Sequence, residues 1–400
     1  MSSGCGAADP LLRRSAVLPA AAFALVRRSV LFGLAFGIVL PAWQSESPTS
    51  IAAEKVERAA VRDVLPEQEW KAVERAVDQG LLLLSKRQKP DGSFDGNPGN
   101  EPGITGLCVL AFLSRGHVPG QGPYGKQLDK AVEYIIASQQ PTGLLARVQQ
   151  RTHAPYCHGI GSLALSEVYG MGRPTDEPKL RGAIEKSLAF AGKRLSQPKY
   201  SPDDYGSWRY LTRHAISDGD LSVTSWHIMF LRSARNAGFE VDIQLIDDAI
   251  AYIHRLHDPQ RKTFRYEIHT DDPDYNHTRG MAGAGVLALA LAGEHQSPHA
   301  KDAARYILDR PFDQYNHPIP GEQYHCYAAF YCSQGMFQIG GDYWKKFYPQ
   351  LARTLVSAQG GDGAWRPRSG GDVQYGEPYM TALSILALSP PFQMLPIFQK

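Results

Sequence analysis

A seven-residue pattern that returns at nearly regular intervals constrains this chain more than any other feature. Gln88-Lys-Pro-Asp-Gly92-Ser-Phe94 and Gln359-Gly-Gly-Asp-Gly363-Ala-Trp365 share the form Gln-x-x-Asp-Gly-x-aromatic. Gln139-Gln-Pro-Thr-Gly143-Leu-Leu145 is a weaker copy, and Gly206-Ser-Trp208 a partial one. Phe264 and Phe312 fall where two more are due. The aromatic or leucine positions 94, 145, 208, 264, 312 and 365 lie 51, 63, 56, 48 and 53 residues apart. A recurring period marks a repeat architecture, in which each unit buries its apolar face only against its neighbours. Six units of about 50 residues account for the chain from Trp70 onward.

Each copy sits between two helical patterns. Residues Trp70–Gln88 are apolar at Val73, Val77, Leu81 and Leu84, a stripe of helical spacing. Ile104–Leu113 follows as a compact apolar segment. The same order returns as Leu128–Ser138 then His158–Tyr169, as Ile246–Leu256 then Met281–Leu291, and as Leu351–Ala358 then Tyr379–Leu388. The first helix of each pair is amphipathic and the second apolar nearly all round, as a helix buried on both sides must be. Asp and Gly supply the turn between them. An open solenoid of shorter units, about 34 residues each, is the competing architecture. The long segments Gln197–Leu221 and Arg261–Arg279 favour a closed ring, whose inner-helix ends converge on one mouth. The fold expected is therefore all-α: an α/α toroid of six helix pairs, an outer ring around an inner one, spanning residues 66–395.

The residues before the ring read differently. Arg27 and Arg28 precede the apolar run Val30–Leu40, and Pro41-Ala42-Trp43 follows. A positive segment, a short apolar core and a small-residue exit describe a signal peptide. The run is shorter than the roughly 20 residues of a membrane span, and its Arg-Arg start is similar to a twin-arginine export signal. Ser15–Val26 is apolar too, so residues 1–43 serve as a signal peptide or an N-terminal anchor, and residues 44–65 as a linker. The expected location is periplasmic or extracellular, with anchoring or peripheral membrane association compatible with the leader. A net charge of +2 favours no nucleic-acid partner. Cys108, Cys157, Cys326 and Cys332 are scattered and form no Cys-x-x-Cys pair, so neither a disulfide framework nor a thiolate metal site is signalled.

Gln-x-x-x-Gly-x-aromatic resembles the QW repeat of squalene and oxidosqualene cyclases, through Gln88/Gly92/Phe94, Gln359/Gly363/Trp365 and, in part, Gln139/Gly143/Leu145. The chain is also similar to the β subunits of protein prenyltransferases, which share the α/α toroid. The resemblance covers residues 70–390. It implies a structural role for the motif: the glutamine amide ties loose backbone groups at helix ends and the aromatic covers the turn. Such a likeness speaks to fold rather than to activity.

The chemistry those families use is incomplete here. Class II terpene cyclases protonate an alkene with an acid in an Asp-x-Asp-Asp motif, and such an acid needs hydrogen-bonded carboxylate neighbours. Asp218-Gly219-Asp220-Leu221 is the nearest match, with Asp220 as donor and Asp218 beside it, but Leu221 replaces the last Asp. Asp220 or Ser222 as a helix N-cap is the plainer reading. The prenyltransferase zinc site would fall on Asp220, Ser222 and His277, and a serine hydroxyl cannot replace the thiolate that zinc favours. No metal and no cofactor are expected. His269 to His277 reads as a solvated loop, and the adjacent pairs Cys157-His158 and His325-Cys326 do not share a helix face. Glu322, Asp372 and Glu377 are available as opposed carboxylates of a glycan-active site, without a motif to join them.

Tyr324, Tyr327 and Tyr331 follow i, i+3, i+7 spacing on an inner helix, with Trp226 and Tyr156 on others. Such a stripe can face a central space and receive an isoprenoid chain. The reading adopted is an exported toroid with an apolar central cavity, acting as a binding or scaffold domain for an apolar or isoprenoid small molecule. A class II terpene cyclase working through a modified Asp218/Asp220 motif is the alternative. Protein partners are unassigned.

Overall fold

The computed structural model describes residues 62–399 apart from residues 98, 148–151, 173–175, 213–215, 271, 318 and 320, and without the side chains of residues 273 and 274. The expected leader, residues 1–43, and the expected linker up to residue 61 lie outside the described residues. Among the described residues twelve long helices form six pairs. The outer helices are α1 (Glu67–Arg87), α3 (Gly125–Ala137), α5 (Glu177–Leu195), α7 (Ile243–Arg255), α9 (Pro298–Leu308) and α11 (Gly341–Ala358). The inner ones are α2 (Glu101–Leu113), α4 (Ala154–Val168), α6 (Leu221–Asn236), α8 (Arg279–Leu291), α10 (His325–Ile339) and α12 (Gly376–Leu388). Among the described residues the only strands are a two-residue hairpin, β1 (His257–Asp258) with β2 (Thr263–Phe264).

The inner helices pack in the order α2, α4, α6, α8, α10, α12 and back to α2, which closes the ring. Nearly every residue of α8 and α12 is buried, whereas α7 buries only Ile246, Ala249, Ile250, Tyr252 and Ile253 along one stripe. Contact with helices on both sides explains why the inner segments are apolar all round. The expected helices are present, most of them starting a turn earlier than their first apolar residue. The exception is α11, which begins ten residues before Leu351; its first half buries the aromatics Trp344, Phe347 and Tyr348, outside the aliphatic stripe from which the helix was expected.

The repeated motif joins each unit to the next. Gln88 Nε2 donates to Gly92 O (3.0 Å) and to Gln127 O of α3 (2.8 Å). Gln139 does the same to Gly143 O (3.3 Å) and Ala183 O of α5 (2.8 Å). Gln359 bonds Gly363 O (2.9 Å) and Ala76 O of α1 (2.8 Å), so the sixth unit is fastened to the first. The glycine is needed twice over. At Gly363 φ is +94°, and a Cβ there would lie 2.5 Å from Gln79 O of α1. Trp365 is fully buried and its indole donates to Leu355 O (2.8 Å), while Trp208 donates to Ala191 O (3.0 Å). A further device was not visible in the sequence. The backbone N–H at the aromatic position donates to an inner-helix side chain: Phe94 to Thr105, Leu145 to His158, Trp208 to Thr224 and Trp365 to Thr381.

All six inner helices run the same way, and their N-terminal ends surround one mouth. The opposite end of the axis is plugged by the C-terminal segment. Ile397 and Phe398 are buried, Phe398 meets Phe330 at 6.3 Å between ring centroids, and Gln338 Nε2 donates to Phe398 O (2.8 Å). No helix among the described residues is long and apolar enough to cross a membrane.

Candidate functional site

The plug and the open mouth leave an axial cavity of about 320 Å³. Its floor is apolar: Ile104 and Leu107 from α2, Ile160 from α4, Trp226 from α6, Met281 from α8 and Leu383 from α12. Its collar is made of tyrosines, Tyr156, Tyr210, Tyr266, Tyr275, Tyr324, Tyr327, Tyr375 and Tyr379, with Asn100, His153, Ser222, Glu322 and Gln374 among them. The cavity is thus apolar only at depth. Inner helices shed their all-round apolar character within the first turn, where the connecting loops arrive and backbone groups must be satisfied.

Four of the five aromatic residues singled out from sequence line this cavity: Tyr156, Trp226, Tyr324 and Tyr327. Tyr331 lies beneath the floor. It is fully buried, packs 5.4 Å from Trp226 and 4.7 Å from Tyr327, and shares a 2.8 Å hydrogen bond with Ser225. Tyr324 is the residue before α10 rather than part of it, and its hydroxyl accepts from Gln374 Nε2 (3.2 Å). The remaining tyrosines, Met281 and Asn100 were not found by sequence reasoning. The available signal was positional, because the lining comes from the first turns of the apolar segments and the loops before them.

Asp220 and Asp218 diverge. Asp220 is the N-cap of α6 and is fully buried. Its Oδ1 accepts from Val223 N (2.7 Å) and Ser222 Oγ (2.7 Å), and its Oδ2 from the Tyr266 hydroxyl (3.3 Å). Burial pushes its carboxyl up, while Arg209 and these hydrogen bonds pull it down; burial wins. Asp220 does not line the cavity but stands one hydrogen bond behind it, since Ser222 and Tyr266 do. Ser222 Oγ also shares a 2.5 Å hydrogen bond with Tyr156, and Tyr266 a 2.9 Å bond with Tyr210. Arg209, beneath them, is ion-paired with buried Glu267 and donates to Gly219 O (2.9 Å). Asp218 instead accepts from Tyr200 N and borders a separate small cleft with Arg194 and Lys199.

The other polar candidates are dispersed. His277 Nε2 meets Asp258 Oδ2 (3.1 Å), so the residues of the zinc resemblance, Asp220, Ser222 and His277, are not assembled. No group of three or more metal-binding side chains is found among the described residues. Asp271 lies outside them, and His269 contacts Asp204 (3.3 Å). Cys157 faces the cavity while His158 turns away to accept from Leu145 N (3.2 Å). His325 packs against Phe312 and Tyr315, and Cys326 approaches Ser384 (3.5 Å). Of the three mouth carboxylates only Glu322 lines the cavity, and Arg279 binds both its oxygens at 2.6–3.0 Å. Glu377 is paired with Arg87 and Arg366, each at 2.7 Å. Asp372 is buried, accepts from Cys326 N (3.2 Å), and is pushed up to about 7 by that burial, with Glu322 adding to the rise.

No family model matches the chain, and no curated protein is significantly similar to it. Solved structures do resemble it. A variant of the type II terpene cyclase MstE from Scytonema, in complex with geranylgeranyl dihydroxybenzoate as substrate, is 12% identical, with a TM-score of 0.54 over 83% of this chain and 100% of that one. A D-mannose isomerase is 11% identical, with a TM-score of 0.62 over 83% and 100%. The α-mannanase BT2949 of Bacteroides thetaiotaomicron is 12% identical, with a TM-score of 0.56 over 80% and 95%. At these identities the likeness shows the fold alone: this chain is an α/α toroid, an architecture that carries several chemistries.

Proposed function

We propose that this protein is an exported binding toroid whose axial cavity holds one small isoprenoid-like or other apolar molecule, and that it does not cyclise squalene. The observation that carries the reading is the cavity's division into an apolar floor and a phenolic collar. Hydrocarbon buried on that floor gains about 25 cal/mol per Å² before ordering costs. A volume of about 320 Å³ is at the small end of ligand pockets, which span about 300–1,000 Å³. The MstE structure, crystallised with an isoprenoid-bearing substrate, gives the same fold a ligand of this type. The leader around Arg27-Arg28 and Val30–Leu40 supports export, and it leaves room for peripheral membrane association.

Binding is preferred to catalysis because Leu221 stands where the cyclase motif carries its last carboxylate, and Asp220 uses Oδ1 to cap α6 and Oδ2 to hold the Tyr266 hydroxyl. The second reading, a cyclase with a modified acid motif, draws on one observation: burial raises the Asp220 carboxyl immediately behind the Ser222–Tyr266 wall. Incubation of the full chain with squalene and shorter isoprenoids, followed by product analysis, separates the two. No cyclised product is expected from the wild type, and Asp220→Asn should fold with little loss, since asparagine caps helices as well as aspartate. A cyclised product that disappears in Asp220→Asn would establish the cyclase instead.

A further inference from the structure

One side chain of the cavity wall is not used by the fold. Asn100 lines the cavity at the start of α2 and is only 5% exposed. It holds the N-cap position, where an asparagine ordinarily accepts a hydrogen bond from a free helix N–H, yet its side chain caps nothing. Neither its Oδ1 nor its Nδ2 meets a protein partner among the described residues. Leaving a buried polar group unpaired destabilises a fold, so a fold under no other demand would place an apolar residue there.

The charge around this carboxamide narrows what it can meet. Glu322 is held by Arg279, which also donates to the carbonyls of Arg310 (3.1 Å) and Pro311 (2.9 Å). Arg209 is committed to Glu267 behind the wall. His153, on the same rim and 6.1 Å from Tyr375, is held below its ordinary value by burial and is therefore neutral at pH 7. Among the described residues, the lining offers no free cation to balance an anionic head and no free anion to balance a cationic one.

We infer that Asn100 reads the head group of the cavity's ligand: its donor and acceptor pair with an uncharged head that carries both, such as a primary amide or a hydroxyl, while the hydrocarbon part rests on the floor. This rests on the reading of the cavity as an apolar-ligand site and names the class of head that the site takes. An anionic head would lose its water without gaining a counter-charge, whereas the amide exchanges water for two direct hydrogen bonds.

Titration calorimetry on the full chain at pH 8 tests this with four probes of one carbon skeleton length: myrcene, geraniol, geranamide and geranate. Geranamide should bind about tenfold more tightly than geranate, the effect of roughly 1.4 kcal/mol from neutral hydrogen bonds made without a buried charge. Asn100→Leu should bring the two within about twofold while raising the unfolding midpoint, because it removes two unpaired buried groups. Asn100→Asp, nearly isosteric, keeps the acceptor and loses the donor; it should weaken geranamide and weaken geranate further. Equal wild-type affinities for geranamide and geranate, or a preference unchanged in both variants, overturns the assignment of Asn100. Failure of every probe, myrcene included, overturns the reading of the cavity itself and the head-group assignment with it.

Discussion

The substitution of one glycine by alanine should have opposite effects at two positions of this ring, and the structure sets both signs. Gly363 adopts φ +94°, and an added Cβ would lie 2.5 Å from Gln79 O and 2.8 Å from Gln79 C, both backbone atoms of α1 that cannot swing aside. A left-handed conformation costs a non-glycine residue about 1–3 kcal/mol. Overpacking against fixed neighbours adds about 1–3 kcal/mol. Gly363→Ala should therefore lower stability by about 2–6 kcal/mol, and it acts on the contact that fastens the sixth unit to the first. Gly182, inside α5, has nothing within 4 Å of its Cβ position and no positive φ. There alanine removes only backbone freedom from the unfolded chain, so Gly182→Ala should raise stability by about 0.5–1 kcal/mol. Urea unfolding followed by far-ultraviolet circular dichroism, with equal slopes checked between variants, gives both values. A Gly363→Ala midpoint indistinguishable from wild type would refute the ring-closure argument, and a destabilising Gly182→Ala would show that the helix is held by something other than backbone order.

Two further expectations concern charge and processing. Asp372, raised to about 7 by burial, keeps its proton in the folded state at pH values where the unfolded chain has lost it; stability from this group is complete below about pH 4 and lost as pH rises through 7. Measured against wild type, Asp372→Asn should gain about 2 kcal/mol of relative stability between pH 5 and 7, the difference cancelling the opposite drift from buried histidines such as His227, whose value burial lowers to about 4; a pH-independent difference would show that Asp372 is ionised in the fold. The leader should be removed during export, so that the amino terminus of the secreted protein falls after Trp43, and a cytosolic protein still starting near Met1 would contradict this.

The sequence disclosed the ring more fully than the site. The glutamine, glycine and aromatic of the first and sixth units are legible because backbone geometry demands them: only glycine tolerates the positive φ beside a neighbouring carbonyl at Gly92 and Gly363. The fourth unit was harder to read because Lys262 occupies the corresponding left-handed position, φ 56°, inside the β1–β2 hairpin. Helix starts were read late because a helix's first turn lacks apolar signal. The cavity was read from helical spacing alone, which located Trp226 and Tyr327 but also took in Tyr331, one turn too deep to reach it. Asn100, Tyr266 and Tyr375 enter the wall from loops and helix ends, where no periodicity announces direction. The C-terminal plug of Ile397 and Phe398 was likewise invisible, since a short apolar tail carries no pattern of its own.

The central claim, that the axial cavity receives an apolar ligand, is tested most directly by calorimetric titration of geraniol into the full chain and into Met281→Trp. Met281 lies on the cavity floor, where the larger indole fills the space a ligand would take. Saturable binding of one molecule per chain is expected in the wild type, with a negative heat-capacity change from buried apolar surface, and loss of that binding in a Met281→Trp variant whose circular dichroism is unchanged. No binding by the wild type, or equal binding by both proteins, would contradict it.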